Sequence, residues 1–211
     1  MKRGILEIMS WFTQLLTFFF PPLYTPKELG LIPKAPEPEH KNIFALFDYH
    51  STEGKNLVYA IKKRKDIVLA HSIAKNMADL LQEYLSEQQQ YSFFMNPMVI
   101  PVPLTQKQKK NRGFNQSEAI ASSLADILGG KYSPHILYKN RETKKQALVS
   151  NRAERFTNVR NCFSITNNYN LHHHDIIIVD DLITTGATLS EIEKTLRAAS
   201  ARNVIAITVA H

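Results

Sequence analysis

The 211-residue sequence is poor in cysteine and contains only one, Cys162. A single thiol can form neither an internal disulfide nor a thiolate zinc cluster, and it is compatible with a reducing compartment. We therefore expect a cytoplasmic protein in which Cys162 is a small core residue.

Long apolar runs are also scarce, and the one that stands out, Ile5 to Phe20, follows Lys2 and Arg3. It is short for a membrane span, and no small-residue cleavage site follows it. Its polar residues recur at helical spacing: Glu7, Ser10, Gln14 and Thr17. This pattern favours an amphipathic helix on a partner surface over a signal peptide or an integral membrane anchor, with weak interfacial membrane binding as a further alternative.

Acidic residues are outnumbered, with 19 against 26 basic residues and a formal net charge of +7. Anionic partners are expected, and both phosphorylated small molecules and nucleic acid satisfy that condition. The length and the 44% hydrophobic content allow one sizeable core, or a core domain with a small appendage.

The most informative segment runs from Ile176 to Thr188. Its first four residues, 176–179, are β-branched without alternation, which is typical of a parallel strand buried on both faces. Asp180 and Asp181 follow, at the carboxyl end where open α/β sheets bind ligands. Adjacent carboxylates at that edge are suited to holding sugar hydroxyls.

A hydroxyl-rich loop follows the two carboxylates and leads into a predicted helix that begins at Leu189. Gly186 allows a close approach of the backbone, and the N–H groups of the loop face a helix start. The candidate phosphate-binding residues are Thr184, Thr185, Gly186, Ala187 and Thr188. The whole segment predicts a strand, a phosphate-binding loop and a helix in succession.

Elsewhere the apolar spacing predicts further strands and helices around the same core. The predicted strands are 98–103, 132–138, 161–166 and 204–209, and the predicted helices include 57–62, 67–81 and 120–128. Residues 21–40 hold six of the ten prolines, which favours an extended connector or draped arm. We predict an α/β fold with a central, mainly parallel sheet flanked by helices. The expected division is an N-terminal arm or hood at 1–45 and a main domain at 46–211.

Basic residues cluster in two further segments. Lys110 and Arg112 belong to a predicted loop before a helix start, where they are suited to holding a diphosphate. The polar segment 139–160 is predicted to be a mobile loop that closes over a polyphosphate. Its cations are Arg141, Lys144, Lys145, Arg152 and Arg155. The run Lys62–Lys65 is interpreted as a solvated helix end rather than a nucleic-acid patch.

Residues 176–188 resemble the signature that binds phosphoribosyl diphosphate (PRPP) in type I phosphoribosyltransferases. From about Phe47 to His211 the chain resembles one branch of them, the ComF family associated with DNA uptake in competent bacteria. The segments that carry this resemblance include 57–62, Pro101-Val102-Pro103-Leu104, Arg112-Gly113-Phe114-Asn115-Gln116 and Arg141-Glu142-Thr143. The family usually opens with a zinc ribbon, but Tyr24 and Lys27 stand where its first cysteine pair would fall. No zinc site is therefore expected.

The resemblance implies the type I phosphoribosyltransferase fold and a set of site residues. Asp180 and Asp181 would position the ribose and meet Mg²⁺ through the ligand, residues 184–188 would hold the 5-phosphate, and Arg112 would stabilise the leaving diphosphate. Two functions follow. One is a PRPP- or nucleotide-binding protein that handles single-stranded DNA in natural transformation, with a helicase-like ATPase and a recombination mediator as partners. The other is an active Mg²⁺-dependent phosphoribosyltransferase that transfers ribose 5-phosphate to a nitrogenous base.

Overall fold

The computed structural model describes residues 24–36, 42–87, 94, 96–143, 151–166 and 169–211. The predicted amphipathic helix at 5–20 lies outside the described residues. None of the described helices combines the length and apolar character needed to cross a membrane.

A five-stranded sheet forms the centre of the molecule. The strands of the described chain are β1 (Ile43–Phe47), β2 (Met98–Pro101), β3 (Lys131–Tyr132), β4 (Leu137–Lys139), β5 (Phe163–Ile165), β6 (Asp175–Leu182) and β7 (Asn203–Ala210). The sheet has the order β1-β7-β6-β2-β3, and all its neighbouring strands are parallel. β4 and β5 form a separate antiparallel pair. The predicted mainly parallel sheet is confirmed.

Helices cover both faces of the sheet. Those of the described chain are α1 (Pro26–Leu29), α2 (Thr52–Lys63), α3 (Ile67–Glu87), α4 (Gln106–Arg112), α5 (Gln116–Leu128), α6 (Arg152–Val159) and α7 (Ala187–Ala198). The predicted helices at 57–62, 67–81 and 120–128 correspond to α2, α3 and α5. The predicted α/β class, with helices flanking the sheet, is therefore confirmed.

Strand β6 divides the core into two layers. Ile177 and Val179 face a layer built mainly from α3 and α5, whereas Ile176 and Ile178 face a layer that includes α7 and Cys162. All four β-branched residues of this strand are buried. Their lack of alternation is explained because both faces of the strand are covered. Cys162 is buried, as predicted.

Residues 24–36 lie on the core rather than extending from it. Leu29 and Ile32 are fully buried or nearly so. The backbone pairs with the first strand, since Ala35 N donates to Leu46 O at 3.1 Å and Asp48 N donates to Pro33 O at 2.8 Å. β1 itself begins at Ile43, so the sheet starts before the predicted domain boundary at residue 45.

Two predicted loops contain helix. The basic segment before Gly113 is α4, because Thr105 and Gln108 form a capping box that starts a helix there. The segment 139–160 contains α6, whose start is capped by the Asn151 side chain. Both predictions of an irregular loop were wrong at these residues, because in each case a local side-chain cap starts a helix.

Candidate functional site

The two carboxylates of the signature lie within the last residues of β6. Asp180 and Asp181 are half-buried and belong to the strand itself rather than following it. Strand β2 ends beside them, because Pro101 pairs with Val179 and Val102 N donates to Val179 O at 2.8 Å. The turn after β2 and the loop after β6 therefore meet at the carboxyl edge of the sheet, where parallel α/β sheets bind ligands.

Asp180 is held by polar neighbours in a largely desolvated position. Its Oδ1 accepts hydrogen bonds from the Ser117 hydroxyl at 3.3 Å and from the Asp181 N–H at 2.9 Å. Burial, and then the charge of Asp181, raise the pKa of Asp180 to about 7, against the opposing effects of these hydrogen bonds and of Lys62. The carboxyl pair thus has one member that is costly to ionise without a further positive partner.

Lys62 provides the nearby positive charge. Its Nζ lies 3.3 Å from Asp181 Oδ2, and the two side chains are only 29% and 13% exposed. The Gln116 amide donates to the Lys62 carbonyl oxygen at 3.3 Å, which fixes the carboxyl end of α2 against α5. The interpretation of Lys62 as part of a solvated helix end was wrong, because this residue turns inward to the carboxyl pair.

The loop after β6 has the geometry of an anion-binding turn. Gly186 is buried with a φ of 72°, a left-handed conformation that favours glycine, and it precedes the first residue of α7. No side chain of the described chain caps this helix start. The first N–H groups of α7 are therefore not satisfied by a side-chain cap and are suited to an anion. Thr184 is exposed, Thr185 and Thr188 are half-buried, and Ala187 is buried as the first residue of the helix.

Arg112 and Lys110 lie on α4 near this edge. Both are exposed, and Arg112 Nη1 donates to Gln116 Oε1 at 3.5 Å. Arg112 therefore contacts the residue next to Ser117, which itself contacts Asp180. The string from Arg112 to Gln116 thus joins the basic helix α4 to the start of α5, where Ser117 contacts Asp180.

The predicted mobile loop is only partly described, since Lys144 and Lys145 lie outside the described residues. Its two ends are joined, because Arg141 Nη2 donates to Arg160 O at 3.0 Å. Its beginning is also tied to the turn after β2 by a hydrogen bond from the Thr105 hydroxyl to the Glu142 carboxylate. Arg152 is exposed at the start of α6.

Sequence reasoning missed Lys62 and Ser117 as site residues. Lys62 follows the buried Ile61 and stands four positions after the buried Val58, so it borders the apolar face of α2. That spacing was the available signal, because residues four apart are neighbours on a helix. Ser117 offers no comparable signal, since its contact with Asp180 spans 63 positions of the chain.

In the part of the chain that the structure describes, no thiolate or histidine cluster lies at this edge. Among the described residues, no group of three histidine, cysteine, aspartate or glutamate side chains is placed to hold a metal ion. Within the described residues, the ionisable side chains at the end of β6 are those of Asp180 and Asp181. Asp181 already forms an ion pair with Lys62. Any metal here would need ligands from a bound molecule as well as from the protein.

These features define an α/β protein with a carboxylate pair and an uncapped helix start at one edge of its sheet. The chain is homologous to competence-related and DNA-utilization proteins, which confirms the resemblance to the ComF family. It is 31% identical to DNA utilization protein YhgH of Salmonella typhimurium over 140 residues, 66% of this chain and 59% of that protein. It is 35% identical to Competence protein F of Haemophilus influenzae over 100 residues, 47% of this chain and 43% of that protein.

A third relative is Competence protein ComFC of Streptococcus pneumoniae, 31% identical over 132 residues, which are 63% of this chain and 53% of that protein. The chain thus spans less than two thirds of the length of each of these relatives. No protein-family model matches the sequence.

Similar solved structures include phosphoribosyltransferases and a PRPP-forming enzyme. The hypoxanthine phosphoribosyltransferase of Staphylococcus aureus is 16% identical to this chain, with a TM-score of 0.37. The matched region covers 69% of this chain and 67% of the Staphylococcus aureus chain. The PRPP synthetase of Mycobacterium smegmatis is 19% identical to this chain, with a TM-score of 0.38. The matched region covers 62% of this chain and 33% of the Mycobacterium smegmatis chain. Because these TM-scores are low, the fold of this chain is defined by its own sheet order and by its β6–loop–α7 unit.

Proposed function

We propose that the chain binds PRPP or the phosphate of a nucleotide at the carboxyl edge of its sheet and serves in the handling of single-stranded DNA during natural transformation. The observation that carries this proposal is the joining of Asp180 and Asp181 at the end of β6 to the uncapped start of α7. A ribose phosphate has hydroxyls for the carboxylates and a phosphate for the helix start, so one molecule satisfies both halves of the site.

Mg²⁺ fits the donor set when it arrives with the ligand. Mg²⁺ is commonly bound through one or two carboxylates together with substrate phosphates. Asp180 and Asp181 would hold it from the protein side, and the bound ion would supply neutralisation of diphosphate charge. The raised pKa of Asp180 supports this arrangement, because a positive partner at the carboxyl pair would favour its ionised form.

The role in DNA handling is supported by the relatives and by the charge of the chain. One relative is named a DNA utilization protein and two are named competence proteins. The net charge of +7 suits a polyanionic partner, and α4 adds exposed basic residues at the site edge. A cytoplasmic helicase-like ATPase and a recombination mediator are the partners that this role would require.

The alternative proposal is an active phosphoribosyltransferase. In that reaction the bond between the anomeric carbon and the diphosphate oxygen breaks, a bond from that carbon to a nitrogen of the acceptor forms, and the nitrogen loses its proton. Arg112 would stabilise charge on the departing diphosphate. The hydrogen bond from Thr105 to Glu142 favours this alternative, because it holds the start of the segment after β4 beside the turn after β2.

Calorimetric titration with PRPP, with and without Mg²⁺, tests the proposed site. Binding is expected with PRPP and to be stronger with Mg²⁺. The double variant Asp180→Ala, Asp181→Ala should keep its circular dichroism spectrum and lose PRPP binding. Unchanged PRPP affinity in the folded double variant would defeat the site assignment.

The same titration in the presence of short single-stranded DNA separates the two functions. Competition would place the nucleic acid in the PRPP site, whereas independent binding would indicate a separate DNA surface. Release of diphosphate from PRPP with a nitrogenous acceptor would favour the enzyme. Salt-sensitive binding of the strand without turnover would favour the binding protein.

A further inference from the structure

Lys62 differs from its three basic neighbours in where its side chain lies. Lys63, Arg64 and Lys65 are exposed, whereas Lys62 is half-buried. The Nζ of Lys62 lies 3.3 Å from Asp181 Oδ2, and that carboxylate side chain is only 13% exposed. A lysine in the last turn of a helix ordinarily interacts with the helix dipole and keeps its charged end in water. At the end of α2 the ammonium group instead meets a largely buried carboxylate of the candidate site.

A buried amide fixes the backbone of this lysine. Gln116 is 4% exposed, and its Nε2 donates to the Lys62 carbonyl oxygen at 3.3 Å. The Oε1 of the same amide accepts a hydrogen bond from Arg112 Nη1 at 3.5 Å. The backbone of Lys62 and the side chain of Arg112 therefore contact the two ends of one amide. Because a buried polar side chain that loses its partners is costly, this arrangement holds the end of α2 beside the carboxylates.

The charge of Lys62 acts on both carboxylates. It pairs directly with Asp181. Burial contributes most to the raised pKa of Asp180 and the charge of Asp181 adds to the rise, whereas the charge of Lys62 opposes it. Two adjacent carboxylates repel each other and also repel an anionic ligand. Lys62 reduces both effects, so the protein itself supplies a cation where the proposed ligand is anionic.

A divalent cation and the ammonium group of Lys62 need the same carboxylate oxygens. Mg²⁺ requires near-octahedral oxygen ligands and gives up its waters reluctantly. Asp180 Oδ1 accepts hydrogen bonds from Ser117 and the Asp181 N–H, and Asp181 Oδ2 faces Lys62. A free cation would therefore have to displace Lys62 while its charge repels the cation. A cation that arrives with a diphosphate meets less resistance, because phosphate oxygens are acceptors for the displaced ammonium group.

We propose that Lys62 determines the specificity of the candidate site by substituting for a metal ion at the carboxylate pair, so that the pair accepts a cation bound to a polyphosphate in preference to the free cation. The proposal rests on the proposed PRPP site and specifies which form of the ligand that site accepts. Lys62 acts on the cation through Asp181 and is thus a positioning residue. Removal of its charge should make the pair a better site for a free cation and a worse site for PRPP without a cation.

Binding of free Mn²⁺, measured by the decrease of its electron paramagnetic resonance signal, tests the first consequence without a phosphate ligand. At pH 8 we expect Lys62→Met and Lys62→Gln to bind Mn²⁺ at least about tenfold more tightly than the wild type, because a repelling charge is removed. Lys62→Arg keeps the charge and should bind as the wild type does. The double variant Lys62→Met, Asp181→Asn should lose the gain, which assigns the metal to this carboxylate pair.

Calorimetric titration with PRPP, with and without Mg²⁺, tests the second consequence. Without Mg²⁺ the two neutral variants should bind PRPP about tenfold more weakly than the wild type, because no lysine charge offsets the carboxylates. With saturating Mg²⁺ this difference should largely disappear, since the metal then supplies the positive charge. Lys65→Met removes an exposed charge of the same basic run and is the control, expected to match the wild type in both titrations. Thermal melts verify that each variant is folded.

Three results would overturn the proposal. They are equal Mn²⁺ affinities of the wild type and both neutral variants, a gain in Mn²⁺ affinity that survives Asp181→Asn, and a loss of PRPP affinity that is the same with and without Mg²⁺. The last result would show a merely structural role for Lys62. Absence of PRPP binding by the wild type would instead contradict the proposed function. The Mn²⁺ titrations need no PRPP, so the two failures are distinguishable.

Discussion

Asp180 is subject to two effects that each disfavour its ionised form, burial and a neighbouring negative charge. It lies beside a second carboxylate in a desolvated position, and these two effects raise its pKa to about 7. Its hydrogen bonds from Ser117 and the Asp181 backbone compensate only in part. Natural proteins retain such unfavourable groups mainly where a ligand needs them. The cost at this residue is therefore itself an argument that the end of β6 is a binding site.

The pH dependence of stability tests this reading of Asp180. A folded-state pKa raised above the ordinary value of 3.8 means that the folded protein binds a proton more tightly than the unfolded chain does. The contribution of this residue to stability is thus present at low pH and is lost as the pH rises from about 4 to about 7. We expect Asp180→Asn to flatten that part of the profile of unfolding free energy, measured by urea denaturation.

The exposed Asp79 on α3 gives the matched control for this measurement. Asp79→Asn should keep the wild-type slope between pH 4 and pH 7. A profile of Asp180→Asn that runs parallel to the wild type would contradict the assigned desolvation.

Lys62 stabilises the carboxyl pair through its ion pair with Asp181. Because both side chains are largely withdrawn from water, we expect Lys62→Met to lower the free energy of unfolding at pH 8 by about 1–2 kcal/mol. In a double-mutant cycle, adding Asp181→Asn to Lys62→Met should restore most of the lost stability, since the second substitution removes the carboxylate charge that Lys62→Met leaves unpaired. Lys65→Met, in the same basic run but exposed, is the control and should change stability little. Additive losses in the double variant would exclude coupling between Lys62 and Asp181.

The turn between β6 and α7 depends on the left-handed conformation of Gly186. An added Cβ at its φ of 72° costs about 1 kcal/mol or more, and the loop can relieve this strain only by moving. We expect Gly186→Ala to lower both thermal stability and PRPP affinity. Gly129 has a comparable φ of 63° at the end of α5, and an added Cβ there meets nothing within 4 Å. Gly129→Ala should therefore lose similar stability but keep its PRPP affinity, and equal losses of affinity would show that the loop has no special role.

The elements that the sequence predicts best are those whose signals are local and periodic. The buried strand at 176–179 and the helices α2, α3 and α5 were predicted because their apolar spacing reflects burial on a definite face. α4 and α6 were missed because each is short, polar and defined chiefly by a cap at its start, from Thr105 and Asn151. Helix starts of this kind depend on a few hydrogen bonds rather than on a repeating pattern.

The candidate site likewise has one part that the sequence predicts and one part that only tertiary packing brings together. Asp180, Asp181 and the loop to Thr188 are contiguous, so their grouping could be read from the chain. Lys62 and Ser117 join them only when α2 and α5 pack beside β6. Lys62 is 119 positions before its partner Asp181, and Ser117 is 63 positions before its partner Asp180. Only the three-dimensional arrangement shows that Gln116 contacts the Lys62 carbonyl oxygen while the next residue, Ser117, contacts Asp180.

Across the described part of the molecule, the parallel sheet brings the carboxylate pair, the loop to Thr188 and the turn after β2 to one edge. The loop after β6, the turn after β2 and the helix α4 all lie there, because parallel strands end on the same side. The carboxylates and the exposed cations are thereby separated by only a few side chains. An edge with both signs of charge suits a ligand with sugar hydroxyls near a polyphosphate, whether that ligand is small or is the end of a nucleic acid.

Charge at this edge predicts a strong dependence of DNA binding on salt. Each phosphate neutralised on a single strand contributes about −0.7 to the slope of log K against log salt concentration. Lys107 and Lys110 are both exposed on α4, so the pair Lys107→Gln, Lys110→Gln should make the slope for oligo(dT) shallower by about 1.4 if each contacts a phosphate. Fluorescence anisotropy over a series of KCl concentrations gives the slopes.

The pair Lys75→Gln, Lys194→Gln is the matched control, since it removes the same net charge from exposed positions on α3 and α7. It should lower the affinity slightly and leave the slope nearly unchanged, because general attraction is screened over roughly 10 Å at 0.1 M salt whereas a direct phosphate contact releases a counterion. Equal changes for both pairs would mean that DNA responds only to the overall charge. A selective effect of the α4 pair would place the strand along the edge that carries Asp180.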